Sequence, residues 1–261
     1  MLQKLGKTQV SQIDQRDIRD TLAPIWHTKA DTARKAMNRL SICMRHAAAL
    51  GLDVDLQATD KARALLGKQR HKAQNIPALH WKDVPGFYGS LDDSPTELAL
   101  RLLILTAVRS YPIRFIHEGQ IDGDTWTIPA ASMKGRRAAT QEFRVPLSEE
   151  AQAVIEKARP LARDGYLFPS VRKGVISDAT MSRFMERRQM VERPHGFRSS
   201  FRDWVAETTN TPHDVAETAL GHVTGGSVER SYRRTAFLEQ RRALMARRDV
   251  ITKHRNSGVT L

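Results

Sequence analysis

Between Asp31 and Leu50 the apolar residues Ala33, Ala36, Met37, Leu40, Cys43, Met44, Ala47 and Leu50 recur at steps of three and four. That spacing gathers them on one stripe of an α-helix, and a stripe of this width has to be covered by other elements. Asp31 is expected to cap the start of the helix and Gly51 to end it in the left-handed conformation. The helical pattern runs over residues 12–66 and then stops. Lys68-Gln69-Arg70-His71-Lys72-Ala73-Gln74-Asn75 is polar and basic, offers almost nothing to bury, and is closed by Pro77. A chain with a buried stripe before such a run and apolar helices after it needs two cores. The expected organisation is a helical unit over residues 1–70, a linker over 71–80, and a larger unit over 81–261.

In the larger unit, Trp81–Leu91 and Pro95–Val108 read as helices. The second is apolar on most sides through Leu98, Leu100, Leu102, Leu103, Ile104 and Leu105. Asp124–Ile128 and Glu142–Leu147 have strand composition and flank a basic turn, Ser132–Arg137. From Ser148 to about Arg248 the pattern is mostly helical. The expected fold class is therefore mainly α with a small antiparallel β-sheet, a helical domain followed by an α+β domain.

Charge narrows the function. The 261 residues carry 42 Lys and Arg against 29 Asp and Glu, a formal excess of +13, which calls for a polyanionic partner, nucleic acid ahead of an anionic membrane surface. No apolar run is long enough to span a bilayer, the basic opening lacks the apolar stretch of a signal peptide, and no membrane partner is expected. The single cysteine, Cys43, excludes a disulfide framework and suits a reducing cytoplasm. There is no HExxH, no paired cysteine and no phosphate loop ending in GK[ST], so neither a metal nor a nucleotide cofactor is expected. Lys29, Arg34, Lys35 and Arg39 surround the first helical stripe as candidate phosphate contacts; solvated charges on a helix face are the alternative.

The remaining candidates for chemistry are cations spread through the second half: Arg109 after the apolar helix, Lys134 in the basic turn with Arg136 and Arg137, His195 and Arg198, Arg202, His222, and beyond them Tyr232. On one helix His195 and Arg198 would project from the same face and meet one phosphate, and an arginine fork can hold two phosphate oxygens.

Leu105-Thr106-Ala107-Val108-Arg109, the turn lysine, Pro194-His195-Gly196-Phe197-Arg198-Ser199-Ser200-Phe201-Arg202-Asp203-Trp204, Ala219-Leu220-Gly221-His222 and Ser231-Tyr232-Arg233-Arg234 stand in the order of the tyrosine recombinase (phage integrase) family, which the chain resembles from about residue 12 to 248. Thr21-Leu22-Ala23-Pro24-Ile25-Trp26 resembles the core-binding domain of prophage and genomic-island integrases. The resemblance implies the integrase and type IB topoisomerase fold, closed as a C-shaped clamp on duplex DNA. It implies site-specific recombination, the integration or excision of a mobile element, in the bacterial cytoplasm at the nucleoid. Arg109 and Arg198 would hold the scissile phosphate, Tyr232 would attack it to leave a 3′-phosphotyrosyl link, His195 would serve as general base or orient the phosphate, Lys134 would protonate the leaving 5′-oxygen, and His222 would hydrogen-bond the phosphate. Implied partners are double-stranded attachment sites, three further copies in a tetramer, and an excisionase or DNA-bending host factor.

Three departures bear on this reading. Many family members have an acidic residue three positions after the first arginine; here Pro112 stands there, with Glu118 further along as a candidate substitute. An amino-terminal arm-binding domain is expected to be missing. The basic helix expected over Phe237–Arg248 would dock on a neighbouring protomer, as in the family, or fold back on its own domain. The alternative function is an impaired integrase remnant that only binds DNA.

Overall fold

The structure is a computed structural model that describes residues 5–70, 75–133, 141–222 and 236–253, with backbone alone at 250, 251 and 253. The chain forms two compact units, Met1–Asn75 and Ile76–Leu261.

The first unit is built on helices α1 (Gln15–Trp26), α2 (Ala30–Ala49) and α3 (Ala58–Leu66). Asp14 opens α1 with a capping box: its side chain accepts from the Arg16 and Asp17 amides while the Asp17 carboxylate takes the Asp14 amide. Ile18, Leu22 and Trp26 of α1 pack with Ala33, Met37 and Met44 of α2 and with Ala58 and Ala62 of α3. The Trp26 indole donates to the Gly67 carbonyl at 2.8 Å, tying the end of the unit back to α1. Two expectations for α2 change. The helix starts two residues early, with Lys29 at its N-cap, so Asp31 lies within its first turn, where it pairs with Arg34 at 2.5 Å, instead of capping it. Cys43 and Leu50 are exposed, because the buried stripe is narrower than the apolar spacing implied. Gly51 ends α2 with φ +80°.

The second unit contains α4 (Val84–Gly89), α5 (Pro95–Thr106), α6 (Ser110–Arg114), strands β1 (Ile121–Asp122), β2 (Thr125–Ile128) and β3 (Phe143–Pro146), then α7 (Glu149–Ala158), α8 (Thr180–Arg187), α9 (Phe197–Thr208), α10 (His213–Ala219) and α11 (Leu238–Lys253). Residues 77–79, assigned to the linker from sequence, belong here: the Pro77 carbonyl accepts from the Arg193 amide at 3.2 Å, and Ser200 donates to the Leu79 carbonyl. The sheet is antiparallel in the order β1-β2-β3. Ile121 faces Trp126, and Trp126 faces Val145. Two-residue β1 was too short to be read from composition. Trp126, Ile128 and Val145 join the core around α5, whose Leu98, Leu100, Leu102, Leu103, Ile104 and Leu105 are all buried, with α7 and α8 packed on the helix.

α11 packs on α4, α5, α7, α10 and β3 of its own unit, the fold-back arrangement of the two considered. Leu244 and Met245 are buried. Arg241 donates to the Arg144 carbonyl of β3 at 2.8 Å and lies over the Phe143 ring, while Arg248 donates to the Ile104 carbonyl at 2.9 Å and lies against Phe201 and Trp204. No helix among the described residues is long and apolar enough to cross a membrane.

Candidate active site

The site forms where two helices run out. Ala107 takes φ +53° after the last turn of α5, which ends the helix and sends Val108 and Arg109 away from its axis. Arg109 has extended backbone at the start of α6. Opposite, α10 ends at Ala219 and is followed by Leu220 and by Gly221 with φ +62°. Carbonyls at helix C-termini lack intrahelical partners and carry partial negative charge. Two arginines cap them here. Arg198, in the first turn of α9, donates through Nη1 to the Ala107 carbonyl (2.5 Å) and through Nη2 to the Leu220 carbonyl (2.6 Å). Arg109 donates through Nη1 to the Gly221 carbonyl (3.2 Å).

Both guanidinium groups are thus oriented by neutral oxygens, and among the described residues no carboxylate is ion-paired with either. Burial, with the Arg109 charge beside it and only partial relief from Glu217, brings Arg198 down to about 10. Burial also lowers Arg109. Both stay cationic at neutral pH. A buried and a half-buried cation with no ion-paired carboxylate among the described residues make a site that gains free energy when an anion arrives.

His222 completes the cluster. Its Nε2 lies 2.9 Å from Arg198 Nη2 and its Nδ1 lies 2.7 Å from Glu217 Oε2. The other Glu217 oxygen takes Arg202 Nε at 2.8 Å. Burial pushes the Glu217 carboxyl up, but the hydrogen bonds from His222 and Arg202 outweigh it and hold the group below its ordinary value. Arg202, a candidate DNA contact from sequence, is therefore engaged within the protein.

Of the residues expected to act together, Arg109, Arg198 and His222 converge. His195 sits exposed in a 3₁₀ turn, Pro194–Gly196, ahead of α9, so it does not share a helix face with Arg198 as the spacing implied. The proline at the head of that turn and the glycine at its end delay the α-helix until Phe197. Lys134, Arg136, Arg137 and Tyr232 lie outside the described residues. Met133, immediately before Lys134, lines a small pocket together with Arg109, Pro112, Phe143 and Gly221. Glu118, the candidate substitute for the missing acid, turns instead to Arg159 at 3.7 Å; the partner of Arg109 is the Gly221 carbonyl. Lys29, Lys35 and Arg39 are exposed on the first unit, and Arg34 is spent on Asp31.

Sequence reasoning missed Glu217. An acid in a short helix reads as a solvated charge; its five-residue offset from His222 carries it across the helix end, where no simple periodicity flags a contact.

The sequence and the fold have counterparts among known proteins. Residues 1–64 match the phage integrase central domain and residues 79–239 match the phage integrase family. Prophage integrase IntZ of Escherichia coli strain K12 is 29% identical, over 92% of this chain and 60% of its own length. The integrase of Enterobacteria phage P4 is 29% identical, over 96% of this chain and 63% of its own length. The chain thus spans about three fifths of the curated relatives it matches. Among solved structures, a lambda integrase (75–356) dimer bound to a COC′ core site superposes with a TM-score of 0.64 at 18% identity, covering 85% of this chain and 83% of that one. With its larger unit matched almost throughout, the chain belongs to the phage integrase family.

Proposed function

We propose that this protein is a site-specific DNA recombinase that cuts and rejoins strands through a tyrosine. The observation that carries the reading is the pair Arg109 and Arg198, half-buried and buried, held by carbonyls and, among the described residues, without a salt-bridged carboxylate. A phosphodiester gains negative charge as a nucleophile adds, so fixed cations bind the transition state more strongly than the ground state.

In this reading the Tyr232 phenolate forms a bond to phosphorus, the bond to the 5′-oxygen breaks, and Lys134 supplies the proton that oxygen needs. The phosphate remains activated as a 3′-phosphotyrosyl ester, so a 5′-hydroxyl from another strand can reverse the step without an energy source. Tyrosine titrates near ~10, and His195 is the group proposed to take its proton or to orient the phosphate. The first unit would hold the duplex through Lys29, Lys35 and Arg39. The partners proposed are attachment-site DNA, three further copies of the chain and an excisionase or bending factor, at the bacterial nucleoid. Lambda integrase has been solved as a dimer on core-site DNA and as a tetramer on a Holliday junction. The binding-only alternative drew on Pro112 and on the arm-binding domain expected to be missing; the Gly221 carbonyl, which anchors Arg109, answers the first of these.

A plasmid carrying two directly repeated copies of the attachment DNA tests the proposal. Deletion of the intervening segment, in EDTA and without ATP, is the expected result. Tight binding without any strand exchange would contradict it.

A further inference from the structure

The following inference rests on the strand-transfer reading. Just ahead of α4 the chain runs along α9, the helix that carries Arg198 and has the His195 turn at its head. The Pro77 carbonyl accepts from the Arg193 amide at 3.2 Å. A β-carbon on Gly196 would collide with that same carbonyl oxygen and would stand 2.8 Å from Ala78 Cα. Gly196 has φ −61°, which any residue adopts, so glycine is needed here for space and not for conformation. Four residues on, the buried Ser200 hydroxyl donates to the Leu79 carbonyl. Towards the other end of α9 the Trp81 indole donates to Glu207 Oε2 at 2.7 Å. Pro77, Leu79 and Trp81 thus meet α9 and its leading turn at three successive points.

We propose that residues 77–81 form a positioning strap for His195, and that Gly196 is the point through which it acts. One carbonyl, that of Pro77, is bonded to the residue two before His195 and pressed on the residue directly after it, so it sets both ends of the turn. The His195 side chain is exposed, and its place therefore follows that of the backbone turn. Phe197, buried and stacked on Phe87 at 5.4 Å, holds the turn from the side of α9. Arg198, next along the helix, is fixed independently by the Ala107 and Leu220 carbonyls, so loosening the strap falls on His195. The strap itself touches no substrate.

The test is a double-mutant cycle on the full chain, read by single-turnover cleavage of nicked DNA. Gly196→Ala drives the turn off the Pro77 carbonyl and should slow cleavage by about 10²-fold, the order expected for a misplaced reacting group, with DNA affinity kept. Added to His195→Gln, whose residual rate is the reference, Gly196→Ala should cost no more than about twofold, because a group already removed cannot be misplaced. Ser200→Ala releases the strap without adding volume and should slow cleavage by about fivefold, with the same loss of effect in the His195→Gln background. Losses that add in full in that background overturn the proposal, the mark of a segment that only packs on α9. So does a Gly196→Ala chain that cleaves at the wild-type rate. Should Gly196→Ala fail to fold, Ser200→Ala decides by the same cycle. A wild-type chain that never cleaves DNA refutes the strand-transfer reading instead. The strap is then judged by the NMR signals of the His195 ring, assigned with His195→Gln, which should shift in Ser200→Ala and which overturn it if they do not.

Discussion

The Arg109 guanidinium is anchored on the carbonyl of Gly221, 112 residues away in sequence and 3.2 Å away in space. Gly221 has φ +62°, and a β-carbon there would stand 3.3 Å from Met133 Cε and 3.6 Å from Arg109 Nη1. Gly221→Ala is therefore expected to cost about 1 kcal/mol in urea unfolding, from backbone strain. It should lower single-turnover cleavage by about tenfold or more, because it disturbs the anchor of a phosphate-holding group.

Glu118 faces Arg159 and not Arg109. Glu118→Gln removes a half-exposed ion pair, worth at most ~0.5 kcal/mol. Cleavage kinetics should be unchanged. A large loss of rate would show that Glu118 reaches the site after all.

Lys35 and Arg39 are exposed on α2, whereas Arg34 is neutralised by Asp31 at 2.5 Å. If Lys35 and Arg39 hold phosphates, replacing both by alanine should flatten the plot of log affinity against log salt by about 1.8, at roughly 0.9 for each phosphate no longer neutralised. Arg34→Ala should change that slope less than either single replacement. Equal slopes in all variants would leave this face of α2 solvated.

Much of the fold was legible in the sequence, and the exceptions share a cause. The three- and four-residue steps located α2, and the apolar run located α5, because burial follows periodicity. Arg109, Arg198 and His222 were found through the motifs around them. What stayed hidden depended on the packing of distant segments. Glu217 and Arg202 look like surface charges until α9 and α10 are packed. Ala107 gives no hint of a left-handed helix end. α11 reads as a basic amphipathic helix, and only the seats for Arg241 on β3 and Arg248 on α5 decide that it docks on its own unit.

Glu217 also sets an acid limit on stability. Its folded-state carboxyl lies below its ordinary value of 4.5, so its contribution is present above that pH and is lost as pH falls through the folded value. The melting-temperature advantage of wild type over Glu217→Gln should therefore be constant near neutrality and shrink below about pH 4.5. An advantage that grew on acidification would reverse the sign of the His222 and Arg202 interactions.

Strand transfer as proposed requires phosphorus to be attacked by the chain itself. The most direct measurement traps the protein on a nicked duplex and separates the products in denaturant. Wild type should give a covalent protein–DNA species whose link maps to Tyr232 and to a 3′-phosphate, and Tyr232→Phe should bind the same DNA and give none. A denaturant-resistant species that persists in Tyr232→Phe, or its absence from the wild type, would contradict the assignment of these residues to strand transfer.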